Sequence, residues 1–177
     1  AAIGRRLSSG KWTAVTPGVY LVAGRHRSAR AQARIAALSV GDHAVLGGAA
    51  AVWWLGITDD PPSRHLVYSA AHGRHARASS TAHVRQRNLQ PCDITVVDGL
   101  RVTSREMSVL DAALTLGICV IDAALLRGFV TLSSLEATHE RYPGRRGIAG
   151  INRFLTLLRS GSRSEAERVV VRLFRIV

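Results

Sequence analysis

Arg5, Arg6, Lys11, Arg25 and Arg27 place five cations in the first 27 residues, and no acid precedes Asp42. Cations at that density are suited to phosphate neutralisation: each can displace a condensed counterion from a nucleic-acid backbone, and the released ions drive binding. Lys11 is the only lysine among 24 basic residues. The rest are arginines, whose planar guanidinium matches phosphate and carboxylate with paired donors. Twelve acids leave a formal net charge of +12, spread unevenly along the chain. The first 90 residues hold twelve of the cations against three acids, whereas the remainder sets twelve arginines against nine acids. A polyanionic partner is therefore expected, with double-stranded DNA first, and the first half of the chain should carry the contact. Arg64, Arg74, Arg77, Arg85 and Arg87 extend that basic surface, or equally meet an acidic protein partner.

Other chemistry-bearing groups make weaker constellations. His72 and His75, with His65 and His83 nearby, have histidine-pair spacing. They lack a close acid and the i, i+4 helical register of a zinc site, and arginines surround them, so no metal is expected. Asp111 and Asp122 read as carboxylates at helix ends rather than an acid–base pair. Glu167 reads as a capping residue first. There is no glycine-rich phosphate loop, and neither Cys92 nor Cys119 has an activating context. No catalytic residue and no cofactor is expected. The sequence leans away from an enzyme without deciding the point. Two cysteines outside any C-x-x-C pattern make a disulfide scaffold or zinc ribbon an unlikely class and suit a reducing, cytoplasmic setting. The charge-free stretch around the tryptophans, 43–58, is short for a bilayer span and holds three glycines. No signal peptide is read, and the lack of an initial Met suggests a trimmed start.

The elements that must position these groups read as α+β. Hydrophobic residues at 47% supply a core, and charged residues make up 20%. Ile3 and Leu7 share a face of a helix end that Gly10 caps. Trp12 to Val15 and Val19 to Val22 form a hairpin across Thr16-Pro17-Gly18, with Trp12 and Tyr20 as its packing face. Ser28 caps a helix over Ala29 to Leu38, with Ile35 and Leu38 inward. A short helix covers Gly47 to Leu55. Strands are expected over Leu66 to Ala70 and Ala82 to Arg87. A second hairpin pairs Ile94–Val97 with Leu100–Thr103 through Asp98-Gly99. Capping boxes at Thr103/Glu106, Ser133/Glu136 and Ser164/Glu167 open three helices, with Leu132 as a staple for the second. Ile151, Phe154, Leu155 and Leu158 mark one more by their spacing. Little suggests βαβ repetition.

The order of motifs resembles a known family. Arg5-Arg6-Leu7-x-x-Gly10-x-Trp12-x-x-Val15-x-Pro17-Gly18-Val19-Tyr20 is similar to the winged-helix signature of AbiEi-type antitoxins of type IV toxin–antitoxin systems. Actinobacterial proteins that join this module to a Vsr-like endonuclease domain share it. Ala49-Ala50-Ala51-x-x-Trp54-Leu55-Gly56 resembles the helix after the wing. Val102 to Asp111 resembles a Thr-Ser-x-x-Arg-Thr-x-x-Asp motif, in which Met107-Ser108 stand here in place of Arg-Thr. Gly128-Phe129-Val130-Thr131, Gly144-Arg145-Arg146-Gly147 and Ser164-Glu165-Ala166-Glu167 follow in family order, so the likeness spans nearly the whole chain.

The resemblance implies three units. Residues 1–27 would be the end of a winged helix, 28–160 a mixed helix and antiparallel-strand domain of AbiEi-antitoxin type, and 161–177 the helix that opens a nuclease-like domain. Both ends look shortened relative to the family. The implied function is DNA binding of antitoxin or transcriptional-regulator type, non-catalytic in this form. Arg5, Arg6, Lys11, Arg25 and Arg27 would contact phosphate, and a cognate toxin would be a protein partner. The alternatives are a truncated member of the Vsr-like endonuclease family, or a toxin-binding module without DNA binding. The last helix sets Ala166, Val169, Val170, Leu173 and Phe174 opposite Arg168, Arg172 and Arg175. That apolar face suits packing against the preceding helices, a further domain, or a second copy in a homodimer.

Overall fold

The computed structural model describes residues 2–69 and 82–159. The helix expected from Ser164, together with His72, Arg74, His75 and Arg77, lies outside them. The described residues form a mixed α+β fold of seven α-helices and two sheets. A short helix α1 (Ala2–Ser8) leads into the hairpin β1 (Trp12–Thr16) and β2 (Val19–Val22). Helix α2 (Ala29–Val40) follows, then β3 (Val45–Gly47) and α3 (Gly48–Trp54). Strands β4 (His65–Ser69), β5 (Ala82–Gln86), β6 (Ile94–Val97) and β7 (Leu100–Thr103) complete the larger sheet. Helices α4 (Arg105–Leu116), α5 (Cys119–Leu126), α6 (Leu132–Glu140) and α7 (Ile148–Arg159) close the described chain.

The larger sheet has the order β5-β4-β3-β7-β6. The expected antiparallel strands are found in the pairs β3/β4 and β6/β7, but β4/β5 and β3/β7 are parallel. One of the two parallel pairs involves β3, a strand absent from the sequence reading. Val45, Leu46 and Gly47 are all buried, so no alternation of exposed and buried residues marks them as a strand.

Side chains alternate across this sheet. Leu46, Val67 and Val102 pack with Ala33, Ala36 and Ala37 of α2 and with Trp54. On the opposite face Tyr68 and Thr103 reach α4, through Asp111 and Ser108 respectively. A second cluster gathers Leu110 of α4, Ile121 of α5, Leu135 of α6 and Ile151 of α7. The inward face of α2 is thus corrected. Its buried residues are the three alanines, whereas Leu38 is 54% exposed and Ile35 only half-buried. An alanine face lets the helix approach the strands closely.

The Asp98-Gly99 hairpin forms in the expected register, with φ of 51° and 72° at its two central residues. Ser28 caps α2 by accepting from Ala31 N at 3.2 Å. Two other caps move. Ser104 rather than Thr103 opens α4, accepting from Met107 N, because Thr103 Oγ1 is engaged with Ser108 Oγ at 2.6 Å. Thr131 with Ser134, not Ser133 with Glu136, forms the capping box of α6, which puts Leu132 inside the helix instead of before it. Among the described residues no helix is long and apolar enough to cross a membrane.

Candidate functional site

Two basic sites arise from these elements. The first is at the open end of the N-terminal hairpin. Pairing of Trp12 with Val22 aligns Lys11 with Ala23, whose N–H donates to the Lys11 carbonyl at 2.9 Å. Arg25 then turns back, its N–H donating to Val22 O at 3.2 Å. Arg5 and Arg6 occupy the last turn of α1, and the Arg6 guanidinium stands 4.5 Å from the Trp12 ring centre. Trp12 in turn stacks on Tyr20, with ring centres 6.0 Å apart, as the expected packing face. Arg6, Lys11 and Trp12 line one shallow groove.

All five cations expected at this site are exposed, and none makes an ion pair with a described residue. Neighbouring arginines behave differently. Arg30 binds the Asp98 carboxylate at 2.5 Å and Arg34 donates to the Asp98 carbonyl at 2.6 Å. Both also stand over the Trp54 ring. Those two fasten α2 to the β6–β7 turn.

The second site was not assembled by sequence reasoning. On β5, His83 and Arg85 share a face by the two-residue period, and Arg87 continues that row just past the strand. Parallel pairing sets Arg85 beside Tyr68. Gly47 permits the Tyr68 ring to lie across β3, since a Cβ there would fall 2.4 Å from the ring. The Tyr68 hydroxyl donates to Asp111 Oδ2 at 2.7 Å, and Arg87 Nη1 donates to both carboxylate oxygens at 3.0 and 3.2 Å. The expectation that Asp111 sits at a helix end is corrected: it lies in the middle of α4 and is buried. Asp122 does lie in the first turn of α5. Arg87, expected as surface charge, is mostly buried in this pair.

Arg145 approaches the same carboxylate, with Nη1 3.8 Å from Asp111 Oδ1 and a side chain only 3% exposed. Burial pushes its pKa down, Asp111 opposes that fall, and Arg87 adds to it. Burial likewise works against the charge on Arg87, but Asp111 and Tyr68 together outweigh it and hold that guanidinium more firmly protonated than usual. Burial, followed by the Asp111 charge, raises the Tyr68 phenol above its ordinary range, so it remains a donor. These groups line a cleft of about 1200 Å³ whose rim carries Arg64, Arg85 and Arg146. His83, at this rim, is held below its usual pKa by partial desolvation and then by those three arginines.

Among the described residues no three of His, Cys, Asp and Glu gather as a metal site. Comparison of the chain with protein-family models and with curated proteins found no match.

Proposed function

We propose that this chain is a DNA-binding protein of antitoxin or transcriptional-regulator type, holding duplex DNA through Arg5, Arg6, Lys11, Arg25 and Arg27 without catalysing a reaction on it. The observation that carries the reading is the contrast between these five cations and their neighbours. Arg30 and Arg34 are tied to Asp98, whereas the five are exposed and make no ion pair with a described residue. Exposed cations with no carboxylate to neutralise them keep their capacity to displace counterions from phosphate. A helix, a turn and a two-stranded ribbon flanked by cations, in that order, are also consistent with the closing part of a winged helix, in which the ribbon touches backbone beside the groove. On this reading residues 1–27 form the DNA-contacting unit and 28–160 its scaffold. The resemblance adds a toxin protein as a second partner.

The test is titration of a fluorescent duplex with the whole chain and with two double variants. Arg25→Ala with Arg27→Ala should weaken binding about tenfold or more at low salt, equally for unrelated sequences. Arg30→Ala with Arg34→Ala should leave binding within about twofold, because those guanidiniums serve Asp98 and Trp54. Equal losses in both variants would mean that general positive charge, not this segment, holds the DNA.

A further inference from the structure

We infer that the cleft between β4, β5, α4 and the turn before α7 is a binding site for a terminal phosphate group, separate from the N-terminal segment. The starting observation is Arg145. Its side chain is almost wholly buried, yet among the described residues Nε, Nη1 and Nη2 find no hydrogen-bond partner. A buried guanidinium with its donors unfilled is strongly unfavourable, and such groups are normally paired and hydrogen-bonded. Its nearest carboxylate, Asp111, is already occupied by Arg87 and the Tyr68 hydroxyl. Arg87 Nη2 also has no hydrogen-bond partner among the described residues. Two buried guanidiniums therefore share one carboxylate, and both line the cleft.

The missing partner is an anion that brings several acceptor oxygens. With Arg64, Arg85 and Arg146 on the rim, five arginines face a single acid, Asp111, among the described residues that line the cleft. That imbalance suits a dianion better than a carboxylate, and the three oxygens of a phosphate monoester match guanidinium forks. The depth of Arg145 selects the kind of phosphate. A phosphodiester within a duplex lies on a broad cylinder and cannot descend to a guanidinium that is 3% exposed. A phosphate at the end of a molecule can enter the cleft that Arg145 lines. The turn that presents Arg145 is firm, with Arg145 N donating to Tyr142 O and Ile148 N donating to Arg145 O, each at 3.2 Å. The ligand is thus a free phosphorylated molecule of nucleotide size or the 5′-phosphate of a nucleic-acid strand.

Calorimetric titration of the full chain with inorganic pyrophosphate tests the site. Wild type should bind. Arg145→Gln should weaken binding about tenfold or more, and so should Arg64→Ala with Arg146→Ala, two exposed positions whose loss leaves the core intact. The rim pair keeps the test valid if Arg145→Gln unfolds the chain. The variant Arg5→Ala, Arg6→Ala, Lys11→Ala should bind pyrophosphate like wild type, so failure of the DNA-binding reading leaves this result readable. In that variant, AMP binding as tightly as pyrophosphate assigns a small free ligand. Preference for a 5′-phosphorylated single strand over its 5′-hydroxyl form assigns a strand end. No binding of pyrophosphate by wild type up to about 10 mM, or undiminished binding by a folded Arg145→Gln or by the rim pair, overturns the proposal.

Discussion

Asp111→Asn is expected to lower folding stability by about 3–5 kcal/mol, the usual cost of removing one partner from a buried charge cluster. The carboxylate is 5% exposed and faces two guanidiniums, one 16% and the other 3% exposed. Asparagine preserves the shape but removes the charge, and its amide presents donors to donors. Arg87 and Arg145 would then repel each other with little solvent to screen them. The Tyr68 hydroxyl also loses its ionised acceptor. Against a total stability of roughly 5–15 kcal/mol for a natural domain, the loss is a large fraction. Urea unfolding should show it as a lower midpoint with an unchanged slope. Changing Arg87 to Met in the same chain should recover part of the loss, because one of the two stranded charges is removed. A midpoint shift worth under about 1 kcal/mol in the single variant would mean that the cluster is far more hydrated than its burial indicates.

Asp93→Asn should cost less, about 2–3 kcal/mol. Asp93 is fully buried in the turn before β6 and accepts from the Tyr142 hydroxyl at 2.7 Å and from the Arg141 guanidinium. Its backbone carbonyl also receives Ser104 N–H at 2.8 Å. One side chain thus ties the start of the β6–β7 hairpin to the segment after α6. The cost is smaller than at Asp111 for a specific reason: Arg141 is about a third exposed and can turn its charge to water, which Arg145 cannot. The same unfolding experiment ranks the two. A larger loss at Asp93 than at Asp111 would invert the assignment of the most desolvated charges.

What could be read from the sequence was local. The Asp98-Gly99 turn needs positive φ at both positions, and that demand is met within two residues. The Ser28 cap is equally local. The exposure of Arg5, Arg6, Lys11, Arg25 and Arg27 fits a segment that itself holds no acid to bind them. Features decided by distant partners were missed or misplaced. β3 is buried on both sides and so carries no period. α5 was missed for a related reason: Cys119 to Leu126 is nearly all apolar, and no side-chain cap marks its start. Thr103 was misassigned as a cap because its hydroxyl is claimed by Ser108, a competition that the chain's spacing does not reveal.

The cleft shows the same limit. Asp111 lies among Val109, Leu110, Ala112 and Ala113, all buried, and a lone carboxylate in such a run signals that a cation must reach it. His83, Arg85 and Arg87 at two-residue spacing signal one basic face of an extended segment. Which cations meet Asp111 depends on the parallel pairing of β4 with β5 and on the turn that carries Arg145, and both contacts are long-range.

The most direct test of the central claim is the salt dependence of duplex DNA binding, measured by fluorescence anisotropy for the wild-type chain and for Arg5→Ala, Arg6→Ala, Lys11→Ala. Phosphate contacts by these residues predict wild-type affinity that falls steeply with salt. In the variant, the slope of log K against log salt should be shallower by about one unit per lost contact, or about three in all. Parallel slopes for the two proteins, or no binding by wild type even at low salt, would contradict the account and remove DNA recognition from the N-terminal segment.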